Sequence, residues 1–395
     1  MNPTLDLILG ADALRAPLTG IGRYTFELAR RLVQRDEVAR LRYFSMGRWV
    51  ADPLAGLDAP DGEAVAAPAD RGRAPPASLR TRLATSPLAV RLYAACSPRL
   101  LGWRLRDQGR SIYHAPNYIV PPFPGAAVST VHDLSHILCP QFHPRARVDY
   151  LNLTLGPSLA RTAHVITVSE AVRQELLARA LMPPERVTAI HLAADAVFRP
   201  HTPAMLAPAM QALGLRAGRY SLFVGTVEPR KNIARLIEAY ARLSRDLRLT
   251  WPLVLVGGPG WHSEAIHARM AQAQAEGWLR YLSFIDQRWL PAVYAGARLL
   301  AYPSLYEGFG LPIVEAMACG TPVLTSNASC MPEVAGGAAH LVDPLDVEDL
   351  AHGLARCLED EAWLVQARTQ GLARAAALSW DRCADETVAV YRQLS

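Results

Sequence analysis

Short apolar runs alternate with amphipathic stretches along most of this chain. Residues 5–9, 126–131, 164–168 and 187–191 read as buried strands, as do 220–224, 253–256, 298–302, 322–324 and 338–342. Between many of them lie stretches such as TFELARRLVQR, SEAVRQELLARAL and NIARLIEAYARLSRDL, whose apolar positions recur at helical spacing. Such alternation predicts parallel, doubly wound sheets. The proline-punctuated tract 198–219 divides the pattern into two near-equal halves and reads as a loop. The expected fold class is α/β, with two Rossmann-like doubly wound domains facing a central cleft.

Composition narrows the class. A chain of 395 residues, 51% hydrophobic and 19% charged, is long enough for two globular cores and too apolar to be disordered. The six cysteines form no C-x-x-C pair and read as reduced thiols of a cytoplasmic protein. The first residues lack the basic and apolar regions of a signal peptide. The longest uncharged run, 111–131, holds four prolines and a histidine, so it does not read as a membrane-spanning helix. The net charge of +5 is mild, and its distribution matters more.

In doubly wound sheets ligands bind at the carboxyl ends of strands, and four such ends carry chemistry. After the first strand, Gly20 and Gly22 flank Ile21 before a helix, either as a tight turn or as backbone donors aimed at a ligand. His132 ends the strand of STVHDLS. It reads as a site residue facing the cleft, as a surface or capping histidine, or, with Asp133 and His136, as a metal ligand lacking a fourth partner. In GTVEPRKN, Arg230 and Lys231 precede a helix starting near Asn232. Cations there oppose the macrodipole at a cost of about 0.3–1 kcal/mol, which an anionic ligand would reverse. In SLYEGFGLPIVEAMACGTPV, Glu307 falls in a glycine turn and Glu315 in the first turn of a short helix. Dipole compensation alone would justify Glu315. Glu307 has no such reason to be there, and an acid beside glycines at a strand end suits a hydroxylated ligand. Two cations, a glycine-flanked helix start and two carboxylates suit a sugar nucleotide. No D-x-D pair lies nearby, so the expected metal is none, with Arg230 and Lys231 stabilising a leaving diphosphate.

On these residues the chain resembles the retaining glycosyltransferases of family four, also called group one, which have the GT-B architecture. The resemblance spans nearly the whole chain. Its most specific part is E-x7-E at Glu307 and Glu315, supported by GTVEPRKN, STVHDLS, TGIGRY, TVSEAVRQEL and SWDRCADETVAVYRQL. It implies that Glu315 binds the ribose, that Glu307 binds donor-sugar hydroxyls, and that Arg230 and Lys231 hold the diphosphate beside Gly225, Thr226, Gly308, Phe309, Gly310 and Leu311. It places Gly22 in the acceptor and phosphate region and His132 at the donor sugar near the reaction centre. It implies an acceptor-binding domain over 1–197, a linker over 198–218, a nucleotide-sugar domain over 219–375, and a final helix, 376–395, crossing back to the first domain. It implies no cofactor beyond the donor and a retaining, metal-independent transfer.

The stretch SNASCMPEVAGGAAHLVDPLDVEDLA is most similar to bacterial mannosyl- and rhamnosyltransferases of polysaccharide assembly. GDP-mannose is the first donor this implies, ahead of GDP-rhamnose, dTDP-rhamnose and UDP-sugars, with a growing, lipid-linked saccharide as acceptor. Rival readings are a sugar-nucleotide epimerase of the same architecture and a catalytically dead saccharide-binding module. Between 71 and 110 nine arginines face one acid, Asp107, with leucines, Tyr93 and Trp103 interleaved. That pattern fits a helix pair on the anionic inner face of the plasma membrane, or a solvated arginine-rich face. Nucleic acid is not an expected partner, since no nucleic-acid motif is present.

Overall fold

Each of the nine apolar runs becomes a strand in the computed structural model, which describes residues 4–16, 18–57 and 87–395, the side chains of 87–92 and 95 excepted. The chain divides into two units, Met1–His191 with Trp380–Ser395, and Leu192–Ser379. In the first, β1 (Leu5–Gly10), β2 (Val38–Ser45), β3 (Arg48–Val50), β4 (Ile112–Ala115), β5 (Ala127–Val131), β6 (His164–Thr167) and β7 (Val187–Ala189) form one sheet in the order β3-β2-β1-β4-β5-β6-β7. All its pairs are parallel except the β2–β3 hairpin. In the second, β8 (Ser221–Val224), β9 (Leu253–Val256), β10 (Leu279–Ser283), β11 (Leu299–Tyr302), β12 (Val323–Ser326) and β13 (Ala339–Val342) form a parallel sheet in the order β10-β9-β8-β11-β12-β13. That is the Rossmann order, and the continuous burial of β9, β11 and β12 is what helices on both faces impose.

Four strands escape the hydrophobic pattern. β2 carries Arg40 and Arg42, and only Tyr43 and Phe44 of its eight residues are buried. β3 is a three-residue edge strand. β4 hides in the proline-rich run around IYHA, and β10 is mostly half-buried.

Two expectations are corrected. The tract 198–218 is not a loop: it carries the helix Pro203–Leu213, which packs on the helix Leu290–Ala295 of the same unit. Thr202 caps it by accepting from the Met205 amide at 3.4 Å, Pro203 opens it, and Gly214 closes it in a left-handed conformation. The internal Pro208 concealed this capped helix. The run 232–247 is two helices, Ile233–Arg242 and Arg245–Thr250, because Ser244 caps the second by accepting from the Leu247 amide.

The final helix, Trp380–Arg392, belongs to the first unit and packs against Gly20–Leu32. Its Tyr391 hydroxyl is 2.6 Å from His114 Nδ1, whose Nε2 is 2.8 Å from Thr130 Oγ1; the Tyr24 hydroxyl reaches the same Thr130 oxygen at 2.9 Å. Burial, with His132 nearby, lowers the His114 pKa to about 3, so the imidazole is neutral and needs partners on both nitrogens. Tyr391→Phe removes one of them and should destabilise the protein by about 1–3 kcal/mol. Urea denaturation of the full chain checks this, and an unchanged midpoint would count against the network as a tie between the helix and the sheet.

Candidate functional site

β8 and β11 are neighbours although two strands, β9 and β10, come between them in sequence, so the strand order reverses between them. At such a switch point two loops part and leave a crevice at the strands' carboxyl ends. The loop after β8 carries Gly225, Thr226, Glu228, Arg230 and Lys231; the loop after β11 carries Glu307, Gly308, Phe309 and Gly310. Sequence positions about eighty residues apart thus meet.

Their meeting is electrostatic. The Glu307 carboxylate accepts from Arg230 Nη1 at 2.9 Å through one oxygen, and from Lys231 Nζ at 2.7 Å through the other. The Tyr302 hydroxyl donates to that second oxygen at 3.0 Å, and Lys231 also donates to Tyr302 at 2.5 Å. Arg230 Nη2 donates to Glu228 at 2.7 Å. Arg230, Lys231, Glu228 and Glu307 retain side-chain exposures of only 13%, 12%, 6% and 8%, so the cluster is shielded from water. Two cations against two carboxylates leave it formally neutral. Burial alone would raise the Glu307 pKa, but Arg230 and Lys231 outweigh it and hold the carboxyl at about 2. Burial lowers the Lys231 pKa, and Glu307 opposes that shift. The cations lie in a 3-10 turn, Pro229–Lys231, ahead of the helix Ile233–Arg242, as the sequence implied. The macrodipole cost expected of them is offset by Glu228 and Glu307 rather than left to an incoming anion.

The Glu307 backbone is held from a third loop. Ser329 Oγ donates to its carbonyl at 2.6 Å, and Cys330 Sγ does so at 3.2 Å. Gly310 then takes φ +88° to open the helix Leu311–Ala318, a conformation that disfavours any side chain. Gly225 is tied by its amide to Val256, and Gly257 approaches it so closely that a Cβ there would lie 2.0 Å from the Gly225 carbonyl oxygen. Thr226 is exposed beside this turn. Glu315 is the fifth residue of its helix, not in the first turn, so the dipole no longer accounts for it. Its Oε2 accepts from the Tyr294 hydroxyl at 2.7 Å.

In the first unit Gly20 and Gly22 lie in the first turn of the helix Gly20–Leu32 rather than in a turn before it. The Gly22 amide donates to Thr19 Oγ1 at 3.3 Å as part of a helix cap, and a Cβ on Gly22 would lie 2.7 Å from the Ala13 carbonyl oxygen. His132 directly follows β5 and is 8% exposed, neither a surface nor a capping residue. Its Nε2 donates to the Pro116 carbonyl at 2.7 Å, which makes Nδ1 the acceptor nitrogen. Burial lowers its pKa, so the ring is neutral. Asp133 turns away to accept from the Ser135 amide and hydroxyl and from Tyr118. His136 packs edge-on against Tyr118. These three do not form a ligand set: among the described residues no group of three or more His, Cys, Asp or Glu side chains is placed to hold a metal ion.

Of the arginine-rich segment, Arg71, Arg73, Arg80 and Arg82 lie outside the described residues. The rest falls on one helix, Pro87–Leu105, and the turn after it, where Leu100 and Trp103 are 69% and 60% exposed among Arg99, Arg104 and Arg106. Among the described residues no helix is long and apolar enough to cross a membrane.

The sequence reading missed Glu228, Tyr302, Ser329 and Tyr294. Glu228 and Tyr302 left a signal: an acid two positions before Arg230, and an aromatic hydroxyl ending a strand that leads into the site. Ser329 and Tyr294 left none, because only the fold brings them there.

Comparison with known proteins fits this geometry. Residues 18–198 match the family described as Glycosyltransferase Family 4, and residues 211–374 match that described as Glycosyl transferases group 1. The chain is 37% identical to the O-antigen chain mannosyltransferase B of Escherichia coli over 390 residues, covering 99% of this chain and all of that protein. It is 32% identical to the MMP alpha-(1->4)-mannosyltransferase of Mycolicibacterium hassiacum over 58% of this chain and 54% of that one. Among solved structures, sucrose-phosphate synthase from Thermosynechococcus elongatus superposes with a TM-score of 0.73 at 22% identity over 99% of both chains, a likeness of fold alone.

The buried cluster sets a pH signature. A carboxyl whose pKa falls from 4.5 to about 2 on folding adds stability that is full above 4.5 and is lost as pH falls toward 2. Glu307→Gln should therefore cost about 3 kcal/mol at neutral pH, because it leaves buried cations uncompensated. The gap between wild type and variant, followed by denaturant titration, should be constant above about pH 5 and close progressively below it. A gap that does not change with pH would show that Glu307 does not carry the charge compensation.

Proposed function

The chain belongs to the glycosyltransferases of family 4, also described as group 1, and from that membership we propose that it transfers mannose from GDP-mannose, with retention, to a growing saccharide of a cell-surface polysaccharide. The observation that carries this is the Glu307 carboxylate set between Arg230 and Lys231 at the carboxyl ends of β8 and β11, with Glu315 on the helix that follows. The choice of mannose rests on the relative described as an O-antigen chain mannosyltransferase, 37% identical over nearly the whole chain.

In this reading Arg230 and Lys231 take the diphosphate, which trades one set of anionic oxygens for another without leaving a cation unpaired. Glu307, released in part, turns its oxygens to donor-sugar hydroxyls, and Glu315 takes the ribose. Gly225, Thr226 and the backbone of Gly308, Phe309, Gly310 and Leu311 line the same crevice. The C1–O bond to phosphate breaks, the C1–O bond to the acceptor forms on the same face, and the acceptor's proton passes to the departing phosphate oxygen. Charge developing there meets Arg230 and Lys231, so no metal is required. His132 contributes a neutral ring to the donor sugar.

The acceptor we propose is lipid-linked and handled at the cytoplasmic face of the membrane. The exposed Leu100 and Trp103 among Arg99, Arg104 and Arg106 support that location.

Donor preference is read by thermal shift: GDP at a hundred times its dissociation constant should stabilise the protein by about 2.7 kcal/mol, and UDP or dTDP at that same concentration should stabilise it less. A larger shift with UDP would replace GDP-mannose as the donor. Lys231→Ala should lower kcat about 100- to 1000-fold while EDTA leaves the wild type active. Loss of activity in EDTA with recovery in manganese would assign the leaving-group charge to a metal instead. Glu315→Ala should raise the donor KM with little change in kcat, whereas Glu307→Ala should lower kcat; equal effects on both constants would erase the division of labour.

Membrane contact is tested by sedimentation with anionic liposomes at low salt, comparing wild type with the Arg99→Gln, Arg104→Gln, Arg106→Gln triple variant. The variant should lose binding, and 0.5 M salt should release the wild type, since exposed charges are screened. A wild type that stays in the supernatant would overturn it.

A further inference from the structure

β12 and the loop after it send a row of hydroxyls across to β11 and its loop. Thr325 Oγ1 donates to the Tyr302 carbonyl and Ser326 Oγ to the Ser304 carbonyl, each at 2.8 Å. Ser329 Oγ follows them, donating to the Glu307 carbonyl at 2.6 Å. The first two belong to a fully buried strand and help lock it to its neighbour. Ser329 lies past the strand, in the turn before the short helix Met331–Ala335, and reaches the acid that Arg230 and Lys231 share.

Its hydrogen bonding differs from theirs in kind. The oxygen that donates to the Glu307 carbonyl also accepts from the Glu307 amide, at 3.3 Å. Those two groups belong to the peptide planes on either side of the Glu307 Cα. One oxygen bound to both fixes both planes, and with them the direction in which the side chain leaves the backbone. The next residue is Gly308, whose backbone adds no stiffness of its own. Arg230 Nη1 also holds the plane before Glu307, by donating to the Tyr306 carbonyl at 2.6 Å, but that bond comes from a cation that an anionic ligand would engage. Cys330 Sγ adds a weak donor to the Glu307 carbonyl at 3.2 Å.

Ser329 holds this place against its own backbone preference. Its φ is +53°, a conformation that disfavours any side chain and persists only where the surroundings enforce it. Glycine would adopt it freely. A serine is strained here, and the strain sits beside a ligand crevice rather than in the core, where it marks preorganisation.

We propose that Ser329 is a positioning residue of the transfer reaction: through the Glu307 backbone it keeps that carboxylate aimed into the crevice once a diphosphate has taken Arg230 and Lys231. Before an anion enters, the two cations hold the carboxylate directly, at 2.9 and 2.7 Å. Once those bonds are shared with a diphosphate, the bonds from Ser329 remain, because they are uncharged and lie on the backbone. Fixing the backbone removes the motions that swing the whole side chain, and rate depends steeply on such alignment. The role in transfer rests on the transferase reading of Glu307; the bridge from Ser329 to the Glu307 backbone does not.

The test separates the two. Ser329→Gly removes the hydroxyl and the strain together, so the variant keeps its fold; Ser329→Ala removes the hydroxyl and keeps a side chain. Both should lower kcat about 10- to 100-fold, with calorimetric affinities for GDP, UDP and dTDP within about twofold of wild type. Ser329→Cys returns a weaker donor and acceptor at the same place and should recover part of the loss. A Ser329→Gly enzyme with the wild-type kcat, or one that loses kcat and nucleotide affinity by the same factor, would overturn the role. A second measurement needs no transfer. Denaturation midpoints of wild type, Glu307→Gln, Ser329→Gly and the double variant form a cycle. The midpoint shift caused by Glu307→Gln should be smaller in the Ser329→Gly background, because a carboxylate no longer aimed compensates the cations less well. Equal shifts in the two backgrounds would overturn the positioning of Glu307. Unequal shifts in a protein that transfers sugar from no nucleotide would keep the positioning and remove the transferase reading.

Discussion

One buried carboxylate organises the second unit. Glu307 accepts from a guanidinium and an ammonium on its two oxygens, and each of those cations is held on the opposite side of the strand switch. Remove the carboxylate and two charges remain in a shielded loop with only Glu228 to answer them. This is what closes the β8 and β11 loops, distant in sequence, on each other. It also sets a constraint on ligands: an anion that displaced Glu307 from Arg230 and Lys231 would keep the cluster's charge balanced, and a neutral ligand that did so would not.

The same logic of strand order places a cavity of about 320 Å³ at the carboxyl ends of β1 and β4. A parallel sheet has no turn in which to build a site, so chemistry gathers where successive crossovers part, between β8 and β11 in one unit and between β1 and β4 in the other. The two places are furnished differently. The first is ionic, shielded and formally neutral. The second is aromatic and open, lined by Tyr93 and Tyr150 with one acid, Asp12.

The strands with unbroken apolar runs were legible because burial on both faces leaves no polar alternation to confuse them. β2 was not, since Arg40 and Arg42 keep one side wet, and the helix Pro203–Leu213 was not, since Pro208 outweighed a correct T-P…G capping signature in the reading. At the site, Glu307, Arg230 and Lys231 were legible because their residue types are out of place for a turn and a helix start. What could not be read was pairing. The cations looked like a vacant anion hole, and the structure gives them carboxylates already, one of which, Glu228, sat unremarked in the quoted motif. Glu315 was placed in the first turn of its helix, where the dipole alone would explain it, and it falls on the fifth residue, a shift within the ordinary uncertainty of helix ends.

His132 shows how burial narrows what a side chain at a strand end can do. A histidine ending a strand invites a reading as a ligand, an acid or a base. Here burial removes its charge, and its one defined hydrogen bond is given to a backbone carbonyl, so the ring is neutral and keeps a single acceptor nitrogen. The carbonyl it holds belongs to Pro116, on the rim of the β1–β4 cavity. A substitution at His132 therefore acts on two things at once: whatever its Nδ1 touches, and the segment through Tyr118, held at φ +43°, that shapes the neighbouring pocket. Loss of transfer in His132→Ala alone does not tell them apart. A side chain that restores a donor to Pro116 without an acceptor nitrogen, compared with one that does neither, is what divides a contact with the reacting sugar from the positioning of the rim.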